Sequence, residues 1–193
     1  MLDAATVWGQ HVSPFLSPVV TVQVASEPWQ LAAYHDLRRR IFADEQGLFS
    51  GSDVDDHDGG ATAIVALSQV AGAPDEVVGV VRIYPAGAST WFGGRLGVCP
   101  RYRARRFIGT ALIFAAVSTA RAWGCIDFLA TVQARNVRYF EQHWFRRLEP
   151  VEVCGQPHHL MRAALDVFPP RVASTQRPVD ARSLRLPRCR SVT

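Results

Sequence analysis

Lysine is absent from the 193-residue chain, whose 21 basic residues are all arginine. Enzymes that hold a carbonyl substrate as a Schiff base need the amine of a lysine side chain. The composition therefore excludes that class of mechanism. It also means that the permanent positive side chains are all guanidinium groups, which bind carboxylates and phosphates through paired hydrogen bonds.

Cysteine is scarce, and Cys99, Cys125, Cys154 and Cys189 are scattered without a close pair. This spacing argues against a disulfide framework and a cysteine metal site, so we expect no bound metal and a reducing, cytoplasmic location. No apolar run reaches the roughly 20 residues that cross a bilayer. The N-terminus also lacks the basic start and apolar middle of an export signal. We therefore expect no membrane partner.

Positive charge is concentrated at the C-terminal end of the chain. Residues 171–193 hold six arginines against one aspartate, a net charge of +5, which leaves −1 for residues 1–170 out of the total of +4. The folded part therefore lacks the excess of positive charge that is typical of nucleic-acid-binding domains. We expect no nucleic-acid partner. The composition predicts an N-terminal extension over 1–18, one domain over 19–170 and a poorly ordered tail over 171–193.

Apolar periodicity predicts a mixed α/β domain with mainly sequential strands. The predicted order is strand, helix, three strands, helix, strand, helix and two strands. Strands are predicted over 19–25, 61–70, 76–84, 91–98, 126–132, 150–153 and 159–165, and helices over 28–44, 109–123 and 136–147.

Residues 95–117 form the most informative stretch. A short apolar run ends before Pro100, four arginines lie between positions 101 and 106, and a helix of small and apolar residues starts near Gly109. A strand, a basic loop and a helix N-terminus that meet at one point suit a bound phosphate. Arginine side chains add positive charge at the same place.

This order of elements resembles the GCN5-related N-acetyltransferase superfamily over about residues 19–168. Arg106-Phe-Ile-Gly109-Thr-Ala111 matches that family's pattern of Arg or Gln, two residues, Gly, one residue, and Gly or Ala. The resemblance implies a mixed, mostly antiparallel sheet of about seven strands flanked by helices. It also implies acetyl-CoA as the co-substrate.

Further motifs agree with one branch of that family. Arg40-Ile-Phe-Ala-Asp-Glu-Gln, Gly-Gly-Arg95-Leu-Gly-Val and Gly155-Gln-Pro-His-His159 together are most similar to a subfamily associated with nitrilase-containing gene clusters and nitrogen starvation. Many members of the family dimerise, so a homodimer is expected by analogy alone.

The resemblance also implies which residues hold the co-substrate. In the family, the strand before the loop pairs with the pantetheine arm, and loop amides with the following helix N-terminus hold the pyrophosphate. Tyr102-Arg-Ala-Arg-Arg-Phe-Ile-Gly109 has more arginine and less glycine than the usual family text, so side-chain contacts should be richer. The implied binding residues are Leu96, Val98, Arg103, Arg105, Arg106, Phe107, Ile108, Gly109, Thr110, Ala111 and Asn136.

A tyrosine in the family's late helix often protonates the leaving sulfur. Alignment of the segment FEQHWF places Phe140 there, and phenylalanine cannot donate a proton. The common spacing from Asn136 reaches His143 instead, and Tyr139 flanks the same region. For the acid that protonates the sulfur, we prefer Tyr139, then His143, and then a reaction without any side-chain acid.

The general base is predicted among the acids of the first half of the chain, because the fourth strand has none. Glu45 is preferred, since the family fold brings its loop over the cleft, and a water chain to Asp53 or Asp56 is an equal rival. The spacing of the acids at 53–58 fails the EF-hand pattern, so we expect a plain acidic surface loop.

Together these features predict an acetyl-CoA-dependent N-acyltransferase acting on the amine of a small or amino-acid-like substrate. Two features suggest a protein of another class: Phe140 stands where the family often has a tyrosine, and the fourth strand carries no acidic residue. That alternative is a catalytically inactive acyl-CoA-binding sensor or structural subunit.

Overall fold

One twisted β-sheet organises the chain. The structure is a computed structural model, and it describes residues 6–7, 10–11, 16–174 and 178–179. The short strands β1 (Thr6–Val7) and β2 (Gln10–His11) pair with each other. The strands of the main sheet are β3 (Val20–Val24), β4 (Thr62–Val70), β5 (Ala73–Pro85), β6 (Thr90–Val98), β7 (Asp127–Gln133), β8 (Phe145–Val153), β9 (Gln156–Ala163) and β10 (Pro178–Val179).

The strand order in that sheet is β10-β3-β4-β5-β6-β7-β9-β8. The neighbours are antiparallel except for β6 and β7, which run parallel. Seven longer strands and the two-residue β10 make up the sheet, which confirms the predicted mixed, mostly antiparallel architecture. Apart from 171–174 and β10, the predicted C-terminal tail lies outside the described residues.

Helices cover both faces of the sheet. They are α1 (Pro28–Arg39), which continues as a π-helical turn over Arg40–Glu45, α2 (Phe107–Ala122) and α3 (Val137–Glu141). A Cβ at Gly79 of β5 would meet Leu112 of α2 at 2.9 Å, whereas one at Gly97 of β6 would meet Ile41 after α1 at 2.8 Å. Because Gly97 pairs with Val80, the neighbour of Gly79, α1 and α2 pack on opposite faces. In the described part of the chain, the helices fall short of the length and apolarity needed to span a bilayer.

The helix predicted over 136–147 is wrong beyond Glu141, because Phe145 already begins β8. Trp144 has a φ of +60°, the left-handed conformation that ends many helices and that glycine usually supplies. The carbonyl of Trp144 then accepts a hydrogen bond of 2.8 Å from the N–H of Ala164, next to β9. With tryptophan in place of glycine, the sequence gives no visible stop signal at this position.

Three arginines and three aspartates form a closed ring of ion pairs between α1, β5, β6 and the loop that precedes β4. Neighbours around the ring are joined by N–O distances of 2.5 to 3.0 Å. The side chain of Arg38 is completely buried, and those of Asp53 and Arg82 are almost so. In order, the members of this ion-pair ring are Arg38, Asp53, Arg95, Asp55, Arg82 and Asp58.

The ion-pair ring corrects the prediction of a plain acidic surface loop. Asp53, Asp55 and Asp58 fasten the loop to the sheet and to α1, whereas Asp56 is exposed. Their charges are balanced by guanidinium groups, so they do not offer the free negative charge that would attract an amine.

The carboxylates of the ring make stability depend on pH. Burial alone would raise the pKa of Asp58, but hydrogen bonds from Arg38, from the N–H of Asp55 and from Arg82 hold that pKa well below its ordinary value. Hydrogen bonding to Arg82 likewise lowers the pKa of Asp55. A lowered folded-state pKa contributes stability above the unfolded value of about 4, and this contribution is lost as the pH falls towards the folded value.

Removing one arginine of the ring should destabilise the fold. We expect Arg38→Met to lower the free energy of unfolding by about 3–5 kcal/mol, because it takes one of two arginine partners from each of Asp53 and Asp58 and leaves an excess negative charge in a buried cluster. The control is Arg39→Met on the same helix, whose exposed guanidinium pairs with Asp36 and Asp44 and should leave the stability unchanged. Urea unfolding at pH 7 measures both, and equal effects would contradict the structural role of the ring.

Candidate active site

A cleft opens where β6 and β7 part. Their parallel pairing joins Thr90–Gly93 to Asp127–Ala130 and stops there. Beyond this point no strand among the described residues pairs with the edge of β6 over 94–98 on the β7 side, and a cavity of about 730 Å³ opens there. A free strand edge offers backbone groups to an extended ligand, which binds as an added strand would.

A β-bulge lies at the point of divergence. Arg95 and Leu96 of β6 stand opposite the single residue Val81 of β5, and Arg95 has a φ of +54°. A bulge bends the strand that carries it, so it steers β6 away from β7. The bulge also directs Arg95 towards the α1 face, where its guanidinium joins the ion-pair ring and lies over the ring of Phe49 at 4.3 Å.

The three predicted phosphate-binding arginines occupy different environments. Arg106 is exposed and lines the cleft next to the first residue of α2. Arg103 also lines the cleft, but it donates paired hydrogen bonds of 2.6 and 2.7 Å to Glu45 and one of 3.0 Å to the carbonyl of Val98. Arg105 lines the cleft as well, and its guanidinium donates hydrogen bonds to the carbonyls of Leu16 and Ser17.

Other predicted binding residues divide into two groups. Leu96, Val98, Gly109 and Asn136 line the cleft. The remaining four do not reach it: Ile108 and Ala111 are buried in the core, Phe107 packs against the core, and Thr110 faces α3. Only the backbone of this first turn of α2 is therefore available to a ligand.

The structure does not place Glu45 on the cleft. Its carboxylate is held by Arg103, and the hydrogen bonds from Arg103 lower its pKa, which makes it a weaker base. Its rival Asp53 is buried in the ion-pair ring. This placement does not favour either acid for proton abstraction.

Tyr139 lies on the cleft wall against the start of α2. A Cβ at Gly109 would come within 2.7 Å of the Tyr139 hydroxyl oxygen, so glycine is required for this approach. The same hydroxyl lies 3.4 Å from Oγ1 of Thr110, which is 2.8 Å from Nε2 of His143. His143 is buried and does not line the cleft, so it lies behind Tyr139 as seen from the cleft.

The partners of these groups fix the direction of their hydrogen bonds. Nδ1 of His143 lies 2.6 Å from the carbonyl oxygen of Tyr139, so Nδ1 carries the proton and Nε2 accepts from Thr110. Oγ1 of Thr110 is then free to accept from the Tyr139 hydroxyl. Burial lowers the pKa of His143 and raises that of Tyr139, so the imidazole is neutral and the phenol keeps its proton at neutral pH.

Aromatic side chains that sequence reasoning missed line the opposite part of the cleft. The ring of His57 stacks on Tyr84 with centroids 4.4 Å apart, and Tyr84 stacks on Phe92 at 5.9 Å. Tyr84 and Phe92 are paired across the β5–β6 hairpin. The predicted pairing of these two strands could have indicated that Tyr84 and Phe92 are neighbours. The loop sequence gives no sign that His57 lies beside them.

Comparisons with known proteins agree with this geometry. The model of the Acetyltransferase (GNAT) family matches residues 22–145. A search of the curated proteins finds no match.

Three similar solved structures share the fold. One is a Lactobacillus plantarum protein provisionally described as an N-acetyltransferase, with 23% identity, a TM-score of 0.66 and coverage of 75% of this chain and 97% of that one. Another is an acyl-CoA N-acyltransferase from Pseudomonas aeruginosa, with 22% identity, a TM-score of 0.60 and coverage of 75% and 98%. The third is BjaI, a CoA-dependent acyl-homoserine lactone synthase, with 18% identity, a TM-score of 0.60 and coverage of 77% and 87%.

The arginine environments predict which side chain contributes to coenzyme A affinity. We expect Arg106→Gln to weaken coenzyme A binding about tenfold, the loss of roughly one charge-assisted hydrogen bond to phosphate. Arg101→Gln is the matched control, because Arg101 pairs with Glu76 and does not line the cleft. Calorimetry should show no change for that variant. Pantetheine, which lacks phosphate, should bind wild type and Arg106→Gln alike, and a loss for pantetheine as well would contradict a phosphate contact.

Proposed function

The chain belongs to the acetyltransferase (GNAT) family, and from this premise we propose that it transfers an acyl group from acyl-CoA to the amine of a small molecule. The observation that carries the proposal is the unpaired edge of β6, which leads directly to the basic loop and the start of α2. An acceptor that is small or amino-acid-like, and membership of the nitrogen-starvation subfamily, stay predictions from the sequence.

Binding of the acyl-CoA would use the backbone more than the side chains. The amides of the pantetheine arm fit the free edge of β6 at Leu96–Val98, and the pyrophosphate fits the first turn of α2 with Arg106 beside it. Arg103 would reach the same phosphates after leaving the carbonyl of Val98, which the arm also needs.

The transfer itself needs alignment and two proton movements. The amine nitrogen attacks the thioester carbonyl carbon, the new C–N bond forms, and the C–S bond breaks with its electron pair leaving on sulfur. The amine gives one proton to a base, and the thiolate takes one from an acid, so the products are an amide and the coenzyme A thiol.

We assign the acid to Tyr139, with Thr110 and His143 as positioning residues. Tyr139 lines the cleft with its phenol protonated, and its hydroxyl lies 3.4 Å from Oγ1 of Thr110, which can accept its hydrogen bond. His143 keeps both neighbours in place through hydrogen bonds at its two ring nitrogens.

We assign the base to His57 in place of Glu45. The imidazole of His57 lines the acceptor side of the cleft, and within the described residues its ring is stacked on Tyr84 but not hydrogen-bonded. Imidazole is the side-chain base suited to proton transfer near neutral pH.

Release of free thiol tests the proposal directly. Acetyl-CoA is incubated with the full chain and a panel of small amines and amino acids, and thiol is measured with an aromatic disulfide reagent. Thiol release that depends on one amine class supports the acyltransferase. Tight acetyl-CoA binding without turnover of any amine in the panel would favour the acyl-CoA sensor. Phe140 on the cleft wall is the reason for considering that alternative.

Tyr139→Phe should separate chemistry from binding. We expect kcat to fall about 10- to 100-fold, at the low end for acid catalysis because a thiolate leaves readily, with the affinity for coenzyme A unchanged. Phe140→Tyr is the matched control and should not raise kcat. Full activity of Tyr139→Phe would contradict the assignment, as would recovery of activity when Phe140→Tyr is added to it.

A further inference from the structure

A second imidazole, that of His158 on β9, lines the cleft in addition to the imidazole of His57. We propose that His158 determines acceptor specificity: its Nε2 accepts a hydrogen bond from a neutral hydroxyl or amide group at the far end of the acceptor amine. The inference rests on the proposed acyltransferase function, with His57 as its base, and extends that function to the class of acceptor.

The side chain of His158 is buried, yet one of its two ring nitrogens has no partner from the protein. The residue is 6% exposed and lines the cleft. Its Nδ1 lies 2.8 Å from the carbonyl oxygen of Gln156, two residues earlier on the same strand. A carbonyl oxygen can only accept, so Nδ1 carries the proton in the neutral ring. Nε2 then keeps a lone pair, to which no side chain or backbone group among the described residues donates.

A buried hydrogen-bond acceptor needs a donor from the protein, from water or from a ligand. Water can serve while the cleft is open to solvent. A ligand that displaces this water without replacing its hydrogen bond loses affinity. His158 therefore favours a ligand with an N–H or O–H at this place over one with an alkyl or ether group.

His158 lies on the face of the sheet that carries the proposed acceptor side. It pairs with Gln133 across the β7–β9 ladder, and directly paired residues share one face. The side chain of Gln133 donates a hydrogen bond of 2.9 Å to that of Gln46, directly after the π-helical turn that continues α1. The pair is therefore on the α1 face. His57, which stacks on Tyr84, belongs to the loop that the ion-pair ring fastens to α1.

The two imidazoles reach the cleft from strands that are not neighbours. His57 stands on Tyr84 of β5, whereas His158 belongs to β9, and β6 and β7 lie between these strands. Three strand spacings of about 4.8 Å place the two backbones roughly 14 Å apart or more. An acceptor that meets His57 with its amine and His158 with its far end is therefore extended, with several bonds between the two groups.

The charges around the cleft favour an uncharged group at that far end. A carboxylate needs a free cation, but the guanidinium groups of Arg95 and Arg103 are already paired with acids. A second ammonium needs a free carboxylate, but Asp55, the acid on the described cleft wall, is held in the ion-pair ring. A hydroxyl or a carboxamide supplies the donor that Nε2 lacks without adding an unpaired charge.

Binding of matched amines tests the inference without turnover. Calorimetry at pH 8, where imidazole is neutral, uses the full chain saturated with coenzyme A. The ligands are ω-amino alcohols from 2-aminoethanol to 6-aminohexan-1-ol, each compared with its methyl ether, which keeps the oxygen but lacks the O–H. We expect the longest alcohols to bind about tenfold more tightly than their ethers, because an ether leaves Nε2 without a donor.

The length of the chain is part of the same test. 2-Aminoethanol is too short to reach both imidazoles, so it should bind no better than its ether. Equal affinity of alcohol and ether at every length would overturn the inference, and so would the absence of binding by every alcohol.

Variants locate the effect. His158→Leu should remove the preference for the alcohol, because leucine has no acceptor atom, whereas His158→Gln should keep part of it through the side-chain carbonyl. His159→Leu is the matched control, since His159 pairs with Val132 on the opposite face and does not line the cleft. A preference that survives His158→Leu, or that His159→Leu removes as well, would overturn the assignment.

Nitrogen NMR of the histidine rings in the wild-type chain needs no variant to fold. We expect the neutral ring of His158 to be protonated at Nδ1, and its Nε2 signal to shift with 6-aminohexan-1-ol but not with the methyl ether. A neutral ring protonated at Nε2 would overturn the inference.

These outcomes are distinguishable from a failure of the proposed function. If coenzyme A binds and an amine of the wider panel releases thiol, but alcohols and ethers bind alike, the acyltransferase stands and this inference alone is overturned. If no amine releases thiol, the proposed function falls and the inference falls with it.

Discussion

The ion-pair ring is the constraint on which the site depends. It ties the last turns of α1, two strands and the loop before β4 at one place under the cleft, through charges that are largely removed from solvent. Buried charges are costly unless each is paired, so the ring permits essentially one arrangement of these segments. Through Arg95, which lies in the bulge of β6, the ring connects the loop that carries His57 with the strand whose free edge lines the cleft.

Two halves of the chain meet at that edge. The side proposed for the acceptor is built from the α1 face, with stacked aromatic rings beside the ion-pair ring. The side proposed for acyl-CoA is built from β6, α2 and α3, with Tyr139 held against Gly109 and connected to His143 through Thr110. The aspartates of the ring are neutralised by arginine, whereas the phenol of Tyr139 and the imidazole of His57 line the cleft. Because most charged residues on the cleft walls are paired with each other, few groups in the cleft can act as acid or base.

The sequence predicts the fold well, because strands such as β4 and β6 and the helix α2 carry clear apolar periodicity and the basic loop is distinctive. It fails at the end of α3, where Trp144 replaces the usual glycine. Within the site, it finds the cleft residues Leu96, Val98, Arg106, Gly109 and Tyr139. It cannot find the ring, because which arginine meets which aspartate depends on contacts between residues up to 42 positions apart. For the same reason it cannot show that Arg105 and Glu45 have hydrogen-bond partners on distant segments.

The central claim is that one continuous surface, from the edge of β6 to the first turn of α2, receives the co-substrate. Hydrogen–deuterium exchange of the full chain with and without saturating coenzyme A tests it most directly. We expect backbone amides over residues 94–111 to become protected, because they gain ligand partners and lose water. Protection that is unchanged there at saturation, or that appears only in other segments, would contradict it.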